Sequence, residues 1–257
     1  MTHGICNLTV IPLRKDPAHQ SEMISQVLFG EHFEVLERQQ NWTRVLLAYD
    51  KYEGWINTSQ FVAVDAEEFS KLNREQLCVS FDLVQIMLHE NSLFSIVLGS
   101  SLPHFKDHTC RLGPTAYRFE GTVKCPEKLQ VTKGIIENAY MYLHSPYLWG
   151  GRTPFGIDCS GFTQMVYKLA GMRLKRDAWQ QSEQGSLIHL VDEARQGDLA
   201  FFDNEEGKIV HVGILLPNNH IIHASGKVRI DSLDHHGIFN QETKKYTHNL
   251  RLIKRFV

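Results

Sequence analysis

A single cysteine in the second half of the chain stands where a helix is expected to begin. The motif Asp158-Cys159-Ser160-Gly161-Phe162 opens a stretch in which apolar residues recur with helical spacing, and Gly171 is a suitable C-terminal stop. The free N–H groups of a helix start stabilise a thiolate. The pattern therefore predicts that Cys159 is a nucleophile, with an unreactive buried cysteine as the alternative reading.

A nucleophilic thiol needs a base, and two of the 14 histidines lie in strand-like segments that flank a turn at Pro217. With the hairpin centred on Pro217, His211 and His223 face each other directly, with Cβ atoms about 5 Å apart. The first imidazole would then accept the thiol proton and the second would orient it. The alternatives are two ordinary strand histidines, or a metal site with Cys159, which the absence of an HExxH or paired-cysteine motif disfavours.

This relay needs a helix start and neighbouring strands, and the surrounding sequence predicts both. Apolar positions with helical spacing indicate a helix over 131–140, and strand-like segments follow at 199–202, 209–215, 220–224 and 250–253. The first three strands form an antiparallel meander, and the fourth is expected to be a final edge strand. We place the start of this domain at Pro126, which gives a catalytic domain over 126–257.

The first half of the chain is rich in short β runs separated by turns. Five such runs predict a small barrel over residues 1–65, and they lie at 5–13, 26–29, 33–39, 42–48 and 55–62. Residues 66–77 combine good helix formers with apolar residues at helical spacing, which predicts a connecting helix that acts as a spacer. A second small β module is expected over 78–125.

Composition limits the classes of function. The chain has 257 residues, of which 42% are hydrophobic and 22% charged, and its 27 Lys and Arg nearly balance its 29 Asp and Glu. This length suits one large domain or two to three small ones. We expect no membrane span, because no stretch approaches about 20 apolar residues, and no nucleic-acid binding, because there is no basic excess. We expect a monomer.

The five cysteines show no paired spacing of the kind found in zinc sites or disulfide scaffolds, which favours a reducing compartment. The N-terminus lacks the basic and apolar regions of a signal peptide. We therefore expect a cytoplasmic protein, with a periplasmic or exported one as the alternative if a signal peptide has been removed.

Several ordered motifs in residues 130–255 resemble the NlpC-type peptidases, a papain-like family of bacterial cell-wall enzymes. They are PYLWGG at 146–151, DCSGF at 158–162, RDAWQQ at 176–181, GDL at 197–199, HVGI at 211–214 and IHAS at 222–225. The first half resembles the bacterial SH3-like modules of γ-D-glutamyl-L-diamino-acid endopeptidases of murein recycling, through LRKDP at 13–17, FGE at 29–31, Trp42 and YEGW at 52–55. The resemblance implies an α+β fold in which two small SH3-like barrels precede a papain-like domain.

The resemblance also implies an activity, namely hydrolysis of the bond between γ-D-Glu and the diamino acid in L-Ala-γ-D-Glu-diaminopimelate peptides. Cys159 would be the nucleophile that forms a thioester, His211 the base and His223 its orienting partner, and no cofactor or metal is needed. In such enzymes the first SH3-like module closes one end of the substrate groove. Peptides with a free L-Ala amine are therefore the expected substrates.

Substrate-binding positions follow from the same resemblance. The residues expected to line the groove are Tyr147, Asp158, Ser160 and Asp177. A carboxylate there suits an ammonium group. Tyr52 is the candidate for an aromatic cap and Asp16 for an acid beside it, although both could be ordinary barrel-surface residues. Ala178 stands where relatives often have serine, so one hydroxyl contact to the substrate is absent.

Two other functions remain open from the sequence. The same core could serve a cell-wall amidase or an acyltransferase, because the groove and not the fold selects the acyl group. The chain could also be a non-catalytic protein whose SH3-like modules bind peptidoglycan peptides. The presence of Cys159, His211 and His223 together argues against a decayed catalytic domain.

Overall fold

The computed structural model describes residues 2–75, 77–125 and 131–256. The chain divides into two compact units, Met1–Glu127 and Lys128–Val257. The domain boundary predicted at Pro126 lies outside the described residues. Among the described residues, every helix is too short or too polar to span a lipid bilayer.

The first unit is built mainly of antiparallel strands. Its elements are β1 (His3–Ile5), β2 (Val10–Arg14), β3 (Met23–Leu28), β4 (His32–Gln39), β5 (Trp42–Leu47), β6 (Glu53–Asn57), β7 (Val62–Val64), α1 (Ala66–Arg74), β8 (Cys78–Ser80), β9 (Val84–His89), β10 (Ser92–Val97), β11 (Ser101–Leu102), β12 (Thr109–Leu112), β13 (Thr115–Phe119) and β14 (Val123–Lys124). The first seven strands form one sheet in the order β3-β2-β6-β5-β4-β1-β7. The others form a four-stranded sheet, β10-β9-β13-β12, and a three-stranded sheet, β11-β8-β14.

Two predicted β runs of this unit are interrupted. The run at 5–13 is two strands, β1 and β2, which are separated by residues 6–9. The run at 55–62 is broken by a 3₁₀ turn, Thr58–Gln60, which Asn57 caps through its side chain. In the second run, a polar side-chain cap therefore ended a strand that the apolar pattern alone would have continued.

Helix α1 is packed rather than free. Asp65 caps it by accepting a hydrogen bond from the Glu68 amide at 2.8 Å. Its apolar residues Phe69 and Leu72 are buried in a cluster that also contains Val64 and Met87. The segment predicted as a connecting helix therefore forms α1, and its apolar side joins the core of the first unit.

A disulfide joins Cys78 and Cys125, which are 47 residues apart in sequence. Their Cα atoms lie 4.1 Å apart because the pairing of β14 with β8 brings the two cysteines together. The absence of paired cysteine spacing therefore gave a wrong expectation about these two residues. Cys6, Cys110 and Cys159 are free and buried.

We expect this disulfide to stabilise the protein by restricting its unfolded chain. Replacing Cys78 and Cys125 together by serine should lower the free energy of unfolding by about 2–4 kcal/mol, measured by urea denaturation. The wild-type protein should lose the same stability on reduction, whereas reductant should not change the double variant. An unchanged urea midpoint of the wild type after reduction would contradict this role.

The second unit contains helices and one large sheet. Its elements are α2 (Val131–Tyr140), β15 (Arg152–Thr153), β16 (Gly156–Ile157), α3 (Cys159–Leu169), α4 (Ala178–Ser182), β17 (Ser186–Ile188), β18 (Leu199–Asp203), β19 (Ile209–Leu216), β20 (His220–Ser225), β21 (Lys227–Leu233), β22 (Gly237–Asn240) and β23 (Lys245–Arg255), with a 3₁₀ turn at Val191–Glu193. The sheet order is β17-β23-β18-β19-β20-β21-β22, and β22 also pairs with β23. The six strands from β23 to β22 in this order therefore form a closed sheet. Helix α3 packs against β19 and β20.

The helices and the meander of this unit follow the sequence predictions, but the position of its last strand does not. The helices predicted at 131–140 and from Cys159 are confirmed as α2 and α3, and Gly171 follows α3 with a φ of +79°. The antiparallel meander is confirmed as β18, β19 and β20. The prediction of a final edge strand at 250–253 was wrong, because β23 lies between β17 and β18.

The predicted register of the β19–β20 hairpin was also wrong, by one residue in the position of its centre. His223 faces Gly213, and Leu216 faces His220. The hairpin is therefore centred on Asn218, because Asn218 and Asn219 both adopt a positive φ, of 58° and 56°, in the turn. His211 and His223 consequently lie diagonally across the two strands, still on the same face of the sheet.

Candidate active site

Cys159 is the first residue of α3, and tight packing fixes this helix start. The side chain of Asp158 caps it by accepting a hydrogen bond from the Gly161 amide at 2.6 Å. A Cβ at position 161 would lie 2.3 Å from the carbonyl oxygen of Gly151, so glycine is required there for the close approach. The hairpin of β15 and β16 and the first turn of α3 therefore hold each other in place.

The carboxylate of Asp158 is saturated with hydrogen bonds. Arg176 binds it in a bidentate manner, with Nη1–Oδ1 and Nη2–Oδ2 distances of 3.0 and 2.6 Å, and the Gly150 amide donates at 2.8 Å. The Ser160 hydroxyl also accepts a hydrogen bond from Arg176 at 3.0 Å. These groups anchor the start of α3. Substrate contacts of Asp158 and Ser160 stay predictions.

The environment of Cys159 does not favour its thiolate in the resting protein. Burial raises the pKa of the thiol to about 12, and the nearby charge of Asp158 acts in the same direction. The backbone of Val212, the charge of Arg176 and the backbone of Ser160 oppose this rise. The expectation that the helix start would produce a resting thiolate is therefore reversed by burial. The contact with Val212 places the sulfur beside the residue that follows His211.

His211 and His223 form the hydrogen bond that joins the β19 and β20 sides of the site. The Nε2 atom of His211 lies 2.8 Å from Nδ1 of His223, and both rings are buried. Gly213 faces His223 across the strands, and a Cβ there would come within 2.9 Å of the His223 Cβ. A glycine at this position therefore allows the two strands to bring the rings together.

Burial lowers the pKa of His211 well below its ordinary value, and the neighbouring His223 and His248 add to this effect. Burial also lowers the pKa of His223, although its hydrogen bond to Asp231 opposes the shift. His211 is therefore a neutral base at neutral pH. The thiol of Cys159 and the imidazole of His211 are therefore both neutral in the folded protein.

Three residues at this site were missed by the sequence reasoning. Asp231 on β21 lies 3.2 Å from Nε2 of His223, and Arg229 binds Asp231 through two hydrogen bonds. The ring of His248 on β23 stacks on His211, with centroids 4.1 Å apart. Arg229 and Asp231 alternate with the apolar Ile230, which is the pattern of a strand with two polar residues on one face, and this pattern could have identified them. His248 was hidden by the assignment of its neighbours to an edge strand.

The remaining predicted site residues are distributed over both units. Tyr147 in the second unit is half-buried, and burial together with the charges of Cys159 and Asp158 raises its pKa to about 12, so its phenol stays protonated. Asp177 is the half-buried N-cap of α4, in a capping box with Gln180. In the first unit, Tyr52 packs against the core beside the β5–β6 turn, and Asp16 is exposed in the β2–β3 turn. Their roles with substrate stay predictions.

Comparison with known proteins agrees with this architecture. The sequence profile of the NlpC/P60 family matches residues 144–248, and that of the bacterial dipeptidyl-peptidase Sh3 domain matches residues 13–61. A crystal structure of an NlpC/P60 family protein from Bacillus cereus ATCC 10987 superimposes with a TM-score of 0.81 at 20% identity, over 99% of each chain. The chain therefore has an NlpC/P60 fold with an SH3-like domain.

Two curated relatives extend over most of the chain. Dipeptidyl-peptidase 6 of Lysinibacillus sphaericus is 26% identical over 90% of this chain and 92% of its own. The gamma-D-glutamyl-L-lysine dipeptidyl-peptidase of Bacillus subtilis (strain 168) is 30% identical over 78% of this chain and 71% of its own. The chain belongs to the NlpC/P60 family of cysteine peptidases.

The raised pKa of the Cys159 thiol predicts how its reactivity responds to pH. Iodoacetamide should alkylate Cys159 slowly at pH 6, and the rate should rise about tenfold per pH unit up to pH 9, because only the thiolate reacts. Mass spectrometry of the modified peptide would give the rate.

Cys159→Ala is the control for background labelling, since Cys6 and Cys110 are also buried thiols whose pKa is raised to about 12. A rate for Cys159 that is already constant between pH 6 and 8 would instead indicate a thiolate–imidazolium pair in the resting protein.

Proposed function

We propose that this chain is a γ-D-glutamyl-L-diamino-acid endopeptidase that acts on murein peptides with a free N-terminal L-Ala. The observation that carries the proposal is the buried His211–His223 hydrogen bond beside the thiol-bearing start of α3. The names of the curated relatives and the match to the dipeptidyl-peptidase Sh3 domain support the substrate class. We further propose that the second unit has the papain-like arrangement, with the thiol on a helix and the imidazoles on a sheet.

The first half of the reaction forms a thioester. As the Cys159 sulfur attacks the γ-carbonyl carbon, the thiol proton passes to His211, so that no free thiolate is required beforehand. The carbonyl oxygen becomes an oxyanion, which the backbone N–H of Cys159 and the phenol of Tyr147 are proposed to stabilise. The raised pKa of Tyr147, about 12, keeps its proton available for this hydrogen bond.

The second half restores the enzyme. The protonated His211 gives its proton to the amine of the departing diamino acid as the C–N bond breaks. A water molecule then attacks the thioester while His211 takes its proton, and the sulfur leaves and is reprotonated. Each proton taken by His211 is returned, so the cycle needs no external acid or cofactor.

Substrate recognition is assigned by the resemblance of the surrounding motifs. The proposed groove residues are Tyr147, Asp158, Ser160 and Asp177. A carboxylate among them suits an ammonium group of the substrate. Tyr52 and Asp16 are the proposed cap and acid that recognise the free L-Ala amine. Ala178 supplies no hydroxyl, so the glutamate α-carboxylate must be bound by other groups.

The proposed nucleophile and base can be tested by substitution. Cys159→Ala and His211→Ala should each lower kcat on L-Ala-γ-D-Glu-diaminopimelate by about 10⁴-fold or more, because Cys159 forms the thioester and His211 transfers the protons in both half-reactions. Mass spectrometry of the products would measure turnover. Cys110→Ala, which removes a buried thiol from the first unit, should keep wild-type turnover. Wild-type turnover by Cys159→Ala would disprove the assignment of the nucleophile.

The proposed substrate class can be tested with two peptides. The wild-type protein should release the diamino acid from the free tripeptide and cleave an N-acetylated tripeptide at least about 100-fold more slowly. Equal rates would contradict recognition of the free amine. Cleavage of N-acetylmuramoyl-L-Ala amides without cleavage of the tripeptide would identify an amidase, and binding of both peptides without turnover would identify a non-catalytic protein.

A further inference from the structure

The pair of histidines is continued by a carboxylate on the next strand. Asp231 lies on β21, is 1% exposed, and places Oδ2 at 3.2 Å from Nε2 of His223. The other ring nitrogen of His223 is bonded to His211. One line of hydrogen bonds therefore connects Asp231 through His223 to His211, and it approaches Cys159 at the end where Val212 contacts the sulfur.

The carboxylate of Asp231 is held firmly in its ionised form. Arg229 binds it with Nε–Oδ2 and Nη2–Oδ1 distances of 2.7 and 3.0 Å, and the Gln241 amide donates to Oδ1 at 3.1 Å. Burial alone would raise the pKa of Asp231, but the hydrogen bonds from His223, Arg229 and Gln241 lower it to about 2. The group can therefore only accept hydrogen bonds at neutral pH.

We propose that Asp231 is a positioning residue that fixes the tautomers of both histidines and so makes His211 competent as a base. Because Asp231 only accepts, His223 must carry its proton on Nε2, which leaves Nδ1 as an acceptor. His211 must then donate from Nε2 to His223, and its own Nδ1 is left with a free lone pair. This inference rests on the proposed function, since it assigns a role within the same catalytic site.

Two neutral histidines alone would not determine which ring donates the hydrogen bond between them. If His223 carried its proton on Nδ1, it would donate to Nε2 of His211, and His211 would hold its proton on Nδ1. That tautomer has no lone pair at Nδ1 to receive the thiol proton. The ring of His248 stacks on His211 and contacts its face.

The variant Asp231→Asn tests which groups donate and which accept in these hydrogen bonds, because the neighbouring donors determine how the asparagine amide would be oriented. At the Oδ1 position an NH₂ group would face Arg229 and the Gln241 amide, which both must donate. At the Oδ2 position it would face Arg229 and His223, of which His223 can become an acceptor. The amide should therefore turn its NH₂ group toward His223 and reverse the line of hydrogen bonds.

Asp198→Asn is the matched control. Asp198 is also a buried aspartate with a bidentate arginine partner, Arg255, at 2.9 and 2.7 Å, but it lies outside the line of hydrogen bonds from Asp231. Both variants disturb a buried ion pair, so both report the structural cost of that disturbance. Only Asp231→Asn should alter the protonation pattern of the histidines.

The experiment combines ¹⁵N-histidine NMR at neutral pH with kinetics. In the wild-type protein and in Asp198→Asn, His211 and His223 should both be protonated on Nε2, and in Asp231→Asn both should move to Nδ1. With the tripeptide as substrate, Asp231→Asn should lower kcat by about 10²–10⁴-fold with KM within about threefold, as expected for a wrong tautomer. Asp198→Asn should keep kcat within about threefold.

Protonation of His211 on Nδ1 in the wild-type protein would overturn the inference, and this result does not require the variant to fold. Unchanged tautomers or unchanged kcat in a folded Asp231→Asn would overturn it as well. The NMR measurement needs no substrate, so the inference and the proposed function can fail separately. Correct tautomers in a wild-type protein that cleaves no γ-D-glutamyl peptide would refute only the proposed substrate and reaction.

Discussion

The candidate site depends on the hydrogen bond between His211 and His223. This bond connects an imidazole on β19 with an imidazole on β20, so that the two side chains can act together in proton transfer. Burial lowers the pKa of both rings, so the hydrogen bond joins two neutral imidazoles. A third group must therefore determine which ring donates and which accepts. The buried carboxylate of Asp231 determines the donor by accepting a hydrogen bond from His223. The Cys159 thiol, which is also buried, is the proposed source of the proton. The low dielectric constant of the interior raises the energetic cost of an unpaired charge, and it also strengthens these hydrogen bonds.

Two aspartate–arginine pairs, in each of which the aspartate is buried, hold the residues of the site in place. Arg176 and Asp158 hold the start of α3, and with it Cys159, whereas Arg229 and Asp231 hold the histidines. Removing one partner of such a pair would leave an uncompensated charge in the interior, which typically costs about 3–5 kcal/mol. The nucleophile and the base are therefore positioned by separate networks, and the sheet and α3 bring the two networks together.

Much of this arrangement follows from local sequence patterns. The spacing of Phe162, Met165 and Val166 predicted α3, and Gly171 predicted its end, because apolar periodicity and glycine act over a few residues. The strand patterns around His211 and His223 placed both imidazoles on one face of a hairpin. The exact pairing was not predictable from those patterns, since two asparagines with positive φ shift the centre of the turn by one residue.

The features that sequence reasoning missed all depend on contacts between distant segments. Asp231 and His248 reach the site only through the pairing of β20 with β21 and of β18 with β23, and Cys78 meets Cys125 only through β8 and β14. The protonation of the thiol is also a property of the folded interior, because burial outweighs the favourable helix start.

The proposed mechanism requires a protonated Cys159 thiol and a neutral His211 whose free lone pair is on Nδ1. Neutron diffraction of crystals of the protein would test this protonation pattern, because it locates hydrogen atoms. We expect a hydrogen on Cys159 Sγ, one on Nε2 of His211 and one on Nε2 of His223, with none on Nδ1 of His211. A bare sulfur together with a doubly protonated His211, or a hydrogen on Nδ1 of a neutral His211, would show that the proposed protonation pattern is wrong.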